Sequence, residues 1–477
     1  GYPYLNIGSE DFQTNSGKGN EYTSNSVFGR VIYSYADRYL FQANVRHDGS
    51  SRFAKGYRWG TFPSFSAGWV MSEDKFMKNL NWDWLSFLKL RGSWGMLGNE
   101  RIGDNYFPYI ALMSFGNSLF YMADGSVVSD KTARPAVLAV EDITWETTTS
   151  TDIGLDANFF NNRLQFHFDY YWKQTKDMLL NIEIPYFMGY NNPSTNAGKM
   201  STHGYDIELA WNDRIGDFKY GVNVNFSDFL SKIDYMNDGE QISGGKIKRA
   251  GVLFNEYYGY VCDGIYQTQE EVNNSARTST TVTVGDLKYR DISGPDGVPD
   301  GIISPEYDRV PLGNSLPRFQ YGGTFNASYK GIDFSIAFQG IGKQNSYLST
   351  AMVQPLRDNF GNVPSILEGK YWSPFNTAEE NLSAKYPRLS NVSKNNNYAT
   401  SSFWMFNGSY FRLKNLTLGY TLPETWTQKA GINRVRFYVS GSDLFCLSNF
   451  PDGWDPEMSY KAYPITTSLV MGLQVNF

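Results

Sequence analysis

Residues 468–477 read "SLVMGLQVNF", and they set Leu469, Met471, Leu473, Val475 and Phe477 on one side of a two-residue period. Val470, Gly472, Gln474 and Asn476 fall on the other side. That is a strand with one apolar and one mostly polar face. An apolar strand at an open sheet edge invites aggregation, and a closed barrel removes the edge. The same alternation recurs upstream. Phe218, Tyr220, Val222, Val224 and Phe226 oppose Lys219, Gly221, Asn223 and Asn225; Leu164, Phe166, Phe168 and Tyr170 oppose Gln165, His167, Asp169 and Tyr171. Two further runs, "YDIELAW" at 205–211 and "VRFYVSG" at 435–441, repeat it.

Alternation alone also suits a soluble sandwich. The spacing between strands separates the two readings. Tight connections at Ala36-Asp37-Arg38, Asn161-Asn162 and Lys330-Gly331 take turns with long ones over 98–143, 181–197, 228–316, 346–400 and 447–463. Strand, short turn, strand, long loop is the outer-membrane barrel rhythm, with short turns on the periplasmic rim and long loops outside. Compact soluble domains rarely carry so many loops beyond about 15 residues. The pattern predicts an all-β chain of about thirteen antiparallel transmembrane strands. It puts 1–22 and 228–316 in extracellular loops, with short helical connections near 73–85 and 423–432 on the periplasmic rim.

Composition agrees. Aromatic residues make up 17% of the 477 residues, a level that suits strands, girdles or sugar-stacking surfaces. A net charge of −6 argues against a nucleic-acid binder. Mean hydropathy is −0.43, and no apolar run of about 18 residues is present for a membrane-crossing helix. Barrel strands average out in hydropathy, so a β-barrel stays open. The two cysteines, Cys262 and Cys446, are too few for a disulfide framework.

Four stretches carry a resemblance: "VRHDGSSRFAKGYRWGTFPSFSAGWVMSEDKFM" (45–77), "LKLRGSWGMLGNERIGD" (88–104), "ITWETTTSTDIGLDANFFNNRLQFHFDYYWKQTKDMLL" (143–180) and "GSYFRLKNLTLGYTLP" (408–423). With the terminal Phe477 they resemble the SusC/RagA family of TonB-dependent outer-membrane transporters of Bacteroidetes. The resemblance implies the C-terminal part of a plugged barrel of about 22 strands. It also implies an N-terminal plug and a TonB-contacting segment, which this sequence lacks. Its implied partners are a SusD-like surface lipoprotein as lid, the TonB complex, outer-membrane lipid and the barrel-assembly machinery. Phe477 would be that machinery's recognition signal. A SusC2D2-type pair of pairs and a bulky substrate, an oligosaccharide ahead of a peptide, complete the expectation.

Two sets of candidate site residues follow. "GDLKYRDISGPDGVPDGIISPEYDR" (285–309) resembles the family's Asp/Gly loop, itself like a calcium loop. Calcium takes six to eight hard oxygens, here from Asp291, Ser293, Asp296, Asp300 and Asp308, with Gly297 at the turn. An inserted residue breaks the usual spacing, and a solvated Asp/Gly turn is the competing reading. No cofactor is required; calcium is the candidate ion. The second set is aromatic: Trp59, Tyr106, Tyr109, Tyr186, Tyr190, Tyr257, Trp372 and Trp454 in presumed loops, as sugar-stacking contacts or as the loops' own packing.

Catalytic signatures are missing. His47, His167 and His203 have no metal-ligand spacing, and no nucleophile-elbow or phosphate-loop motif occurs. The resemblance implies TonB-dependent import of a bulky nutrient, with no chemistry expected in this chain. The rivals are a secreted all-β glycan-binding protein or glycoside hydrolase, a porin-like channel and a non-transporting surface receptor.

Overall fold

A computed structural model describes residues 19–102, 106–135, 137–237, 239–348, 350–356, 361–458 and 462–477. The start of the expected 1–22 loop thus lies outside the described residues, as does the side chain of Tyr186. Thirteen strands form one antiparallel sheet in chain order. They are β1 (Ser24–Tyr35), β2 (Tyr39–Ser50), β3 (Trp59–Val70), β4 (Leu85–Asn99), β5 (Glu146–Phe159), β6 (Leu164–Asn181), β7 (Ser194–Ile215), β8 (Phe218–Met236), β9 (Arg318–Tyr329), β10 (Ile332–Lys343), β11 (Tyr410–Thr421), β12 (Arg434–Ser448) and β13 (Ser468–Asn476). The expected number of strands and their up-and-down order are both found.

Short connections gather on one rim. The β9–β10 hairpin turns on Lys330-Gly331, with φ of 45° and 88°, the positive-φ pair that matches strand twist in a two-residue turn. A Cβ on Gly331 would meet Thr421 O at 2.6 Å, so space as well as φ calls for glycine there. The two helical connections also lie on this rim, as Met71–Glu73 with Lys75–Asn79 and as Glu424–Thr427 with Gln428–Ala430. Long connections fill the opposite rim. The excursion expected over 228–316 is traced over 237–317, because the β7–β8 ladder runs on to Met236↔Gly198. Its base is clasped by Arg318, whose Nε and Nη2 both donate to the Asp228 carboxylate.

The two faces of the sheet differ as the alternation requires. One continuous row of cross-strand partners reads Tyr35, Tyr39, Trp69, Leu90, Leu155, Phe168, Ile207 and Phe226. On the other face Gln42, Ser66, Ser93, Asp152 and Tyr171 are partners in turn. The apolar face is open to its surroundings: Ile153 is 48% exposed and Leu418 51%. Aromatic rings bound it at the short-connection rim. Trp84 stacks on Trp82 at 5.3 Å and on Phe159 at 5.8 Å, and Phe160 lies 6.2 Å from Trp211. At the other rim His47 stacks on Trp59 at 4.7 Å and Phe411 on Phe338 at 5.7 Å. An apolar band between two aromatic girdles is what a bilayer demands of a barrel wall. Among the described residues, β1 and β13 each have one unpaired edge. Phe477 stands just past the last ladder pair and is 86% exposed.

Candidate functional site: the loop rim and the polar wall

Two of the long connections, 237–317 and 344–409, fold into each other rather than standing apart. Their apolar centres include Tyr260, Leu287, Tyr289 and Ile303, and beside these Leu348, Met352, Val353, Tyr398 and Trp404. A polar knot joins them. Asp286 is fully buried and takes a two-pronged contact from Arg388 at 2.7 and 3.2 Å. Ser393 Oγ and Asn397 Nδ2 donate to the same carboxylate at 2.7 and 2.9 Å. Tyr289 OH donates to Asn396 O at 2.5 Å, and Trp404 Nε1 to Asn397 O at 2.8 Å. A buried charge is tolerable only with this degree of pairing.

The aromatic candidates separate by location. Trp59 stands on the outward face opposite Gly49, stacked on His47, in the row that meets the girdle rather than the lumen. Tyr106 covers the Arg52 guanidinium at 4.5 Å, with Tyr22 on the same cation at 5.3 Å. Tyr109 OH donates to Ser51 O at 3.5 Å, and Tyr190 is half-buried. Tyr257 is packed against Tyr347 at 5.9 Å, and burial raises its phenol above the usual range. Trp372 is 9% exposed and donates to Gln267 Oε1 at 3.3 Å; Trp454 packs against the Leu348–Trp404 cluster. Tyr257, Trp372 and Trp454 therefore serve as loop packing. Tyr22, Arg46, Phe62 and Arg101 line a rim hollow of about 670 Å³, and Tyr106 lies 6.3 Å from the Tyr22 ring.

Gly98 belongs to that hollow. A Cβ there would lie 2.1 Å from the Phe62 ring, which packs with Phe53 and Trp145. Gly98→Ala is expected to push Phe62 off its seat and cost about 1–3 kcal/mol. A fall in the melting temperature of the full-length receptor measures it, with Gly116→Ala, which meets nothing within 4 Å, as the control.

The acids of 285–309 behave mainly as latches. Asp308 is fully buried; its Oδ1 accepts from Ile292 N at 2.7 Å and its Oδ2 from Ser304 N at 2.7 Å. Asp291 Oδ2 accepts from Gly301 N at 2.7 Å and Asp300 Oδ1 from Ile302 N at 2.9 Å. Ser293 Oγ lies 3.4 Å from Gly294 O. Among the described residues no three His, Cys, Asp or Glu side chains are grouped to hold a metal ion, so the predicted set, Asp296 included, is not brought together as one.

Cys262 sits in the same loop unit. Burial pushes its thiol up to about 11, against a backbone hydrogen bond from Gly264 that pulls it down. The thiolate is the reactive form. At pH 8 Cys262 is expected to react with a maleimide about 100-fold more slowly than an exposed thiol near 9. Mass spectrometry of a labelling time course checks this.

The inward face holds charge networks that the alternation pattern did not single out. Arg91 reaches Asp169 at 2.5 Å and Asp156 at 3.1 Å, and His167 Nδ1 lies 3.0 Å from Asp156. Nearer the loops, Arg412 is 3% exposed and pairs with Asp455 at 2.5 Å and Glu457 at 2.6 Å. The "GWDPE" stretch at 453–457 thus dips from its loop onto the polar wall. Each pair joins residues of different strands or loops, so only the register reveals it.

Comparison with known proteins converges on one group. The family described as TonB dependent receptor-like, beta-barrel matches residues 1–440. TonB-dependent receptor P3 of Formosa agariphila is 31% identical over 489 residues, covering 95% of this chain and 45% of that protein. TonB-dependent receptor SusC of Bacteroides thetaiotaomicron is 30% identical over 467 residues, covering 95% of this chain and 43% of its own length. The RagAB peptide transporter superposes with a TM-score of 0.77 at 24% identity, over 96% of this chain and 47% of that one. Its closed-closed state gives 0.78 at 23% identity. The likeness to RagAB shows the fold. The chain spans about half the length of the curated relatives it matches.

Proposed function

Since the chain belongs to the TonB-dependent receptor β-barrel family and is an outer-membrane protein, we propose that it walls an importer for a bulky nutrient, an oligosaccharide. The carrying observation is the division of labour across one sheet. Its apolar face suits lipid, its opposite face is polar, and a self-packed loop unit crowns one rim. In this reading a surface lipoprotein covers the loop rim and hands substrate down. TonB, acting on a part of the full-length protein beyond this chain, supplies the energy. This chain performs no bond-making step, in keeping with relatives that are named receptors. The barrel-assembly machinery reads Phe477, and two receptor–lipoprotein pairs associate.

Uptake by cells carrying the full-length receptor tests the reading. A radiolabelled oligosaccharide from the growth substrate should accumulate only with both the receptor and TonB present. Accumulation that survives loss of TonB would replace the importer with a passive channel. Calcium is the ion to titrate at 285–309. A melting temperature raised by Ca2+ but not Mg2+ would assign it, and no shift would leave Asp291 and Asp308 as latches.

A further inference from the structure

At the loop rim of β6–β8 the outward face of the sheet turns basic. Trp172, His203 and Leu230 are ladder partners in turn, and Trp172 meets Tyr170 edge-on at 4.5 Å. This row belongs to the aromatic girdle. Beyond it, toward the loops, the same parity brings Lys176 on β6, Lys199 on β7 and Lys232 on β8. The opposite parity is fixed inward by Thr148 Oγ1 against Thr175 Oγ1 at 3.0 Å and Thr202 Oγ1 against Ser231 Oγ at 2.7 Å. Lys176 sits in the bulge that faces Lys199, and Lys199 is diagonal to Lys232, the partner of Ser201. Opposed residues stand about 5 Å apart and diagonal ones about 7–8 Å, so three flexible amines reach one point outside the girdle. None of the three has an ion-pair or hydrogen-bond partner among the described residues. Of the nearby acids, Asp234 accepts from Ser201 Oγ at 2.9 Å and Asp177 is exposed in the bulge. Arg318, the next cation along, is taken by Asp228. Near the loop rim of β10–β12 the outward face instead carries Phe338, Phe411 and Phe445 ring against ring.

We propose that this lysine patch binds the phosphate-bearing headgroup of an anionic lipid in the outer leaflet of the outer membrane. Aromatic belts settle at the level of the headgroups. Lys232 stands two residues beyond the Trp172 row, and Lys176 and Lys199 four, which is about 7–13 Å along the strands. That height sets the amines among headgroup charges. An ammonium binds phosphate as a compact point charge, and each lysine at an anionic surface adds to the attraction. A lipid gains a second contact that a free anion lacks. Below the patch the outward rows Tyr170–Tyr205 and Phe168–Ile207–Phe226 offer apolar and aromatic surface to acyl chains. The patch does not depend on the span of the chain. β6–β8 are the middle three of thirteen strands, with five on either side, so further strands join at distant edges and a plug lies on the other face. The proposal rests on the outer-membrane setting and not on the cargo.

The test titrates the full-length receptor in detergent micelles with diphosphoryl lipid A, monophosphoryl lipid A and phosphatidylethanolamine, reading bound lipid by native mass spectrometry. Affinity should fall in that order. The triple variant Lys176→Gln/Lys199→Gln/Lys232→Gln should bind diphosphoryl lipid A about tenfold or more weakly and lose the preference among the three lipids. Lys330→Gln, in the β9–β10 turn at the short-connection rim, should leave both unchanged. Heat-modifiable migration on gels verifies that each variant is folded, and Lys232→Gln alone, with a smaller loss, serves if the triple variant is not. Equal binding of phosphatidylethanolamine, or a preference that survives the triple variant, would overturn the proposal. So would displacement of the lipid by inorganic phosphate at millimolar concentration, which would mark a site for a free anion. A triple variant that separates paired receptors while binding lipid A as before would make the patch a contact between copies, and would overturn it too. Import is tested apart from this by uptake with and without TonB, so failure of one reading leaves the other standing.

Discussion

Asp286→Ala is expected to unlock the loop unit and leave the thirteen-stranded wall standing. The carboxylate is fully buried and holds Arg388, Ser393 and Asn397, and Thr283 N donates to it at 2.9 Å. Alanine removes the acceptor for all four groups at once and strands a guanidinium among them. Breaking one partner out of a buried pair costs about 3–5 kcal/mol, a shift of roughly 100- to 1,000-fold or more in the opening equilibrium of the unit. The contacts at stake join 281–286 to 388–397, so the damage stays in the two long loops. Limited trypsin digestion should cut within 237–317 and 344–409 much faster in the variant, and heat-modifiable migration of the barrel should not change. Equal digestion of variant and wild type would mean the knot does not hold the loops together.

Ile153→Arg is the second large effect. Ile153 faces outward near the middle of β5, paired with Gly92 and Tyr170. An arginine on the lipid face at the bilayer midplane costs about 2–4 kcal/mol. Ser93, one residue along the adjacent strand, faces the other way beside Asp152. Ser93→Arg should therefore be close to neutral. Denaturant unfolding of the full-length receptor in liposomes compares the two. A sheet with water on both faces would tolerate both arginines alike.

Much of this architecture was legible as alternation. Each strand is stiff and local, so "VRFYVSG" or "FKYGVNVNF" announces its two faces without knowledge of its neighbours. The rhythm of short and long connections then orders the strands. Register was not legible. Arg91 meets Asp156 and Asp169 across 65 and 78 residues of chain, and no periodicity encodes such an offset. The same limit governed the aromatic candidates. Trp372 and Trp454 look in sequence like any exposed loop rings, and only the meeting of loops distant in the chain buries Trp372 and packs a half-buried Trp454 against the Leu348–Trp404 cluster. The hairpin Met113–Tyr121 with Val127–Pro135 did carry a signal. Met113, Phe115, Leu119 and Tyr121 share one parity and an Asp-Gly turn follows, yet a long connection hid it. Asp308 teaches a different point. An acid in a glycine-rich loop is as apt to hold backbone amides as a cation, and sequence does not say which.

The importer account is tested most directly by isolating the receptor from native outer membranes in mild detergent and identifying what accompanies it by mass spectrometry. The account predicts a membrane-extracted barrel together with a surface lipoprotein and a small bound glycan. Recovery of the chain alone in the soluble fraction, with neither lipid nor lipoprotein, would contradict it.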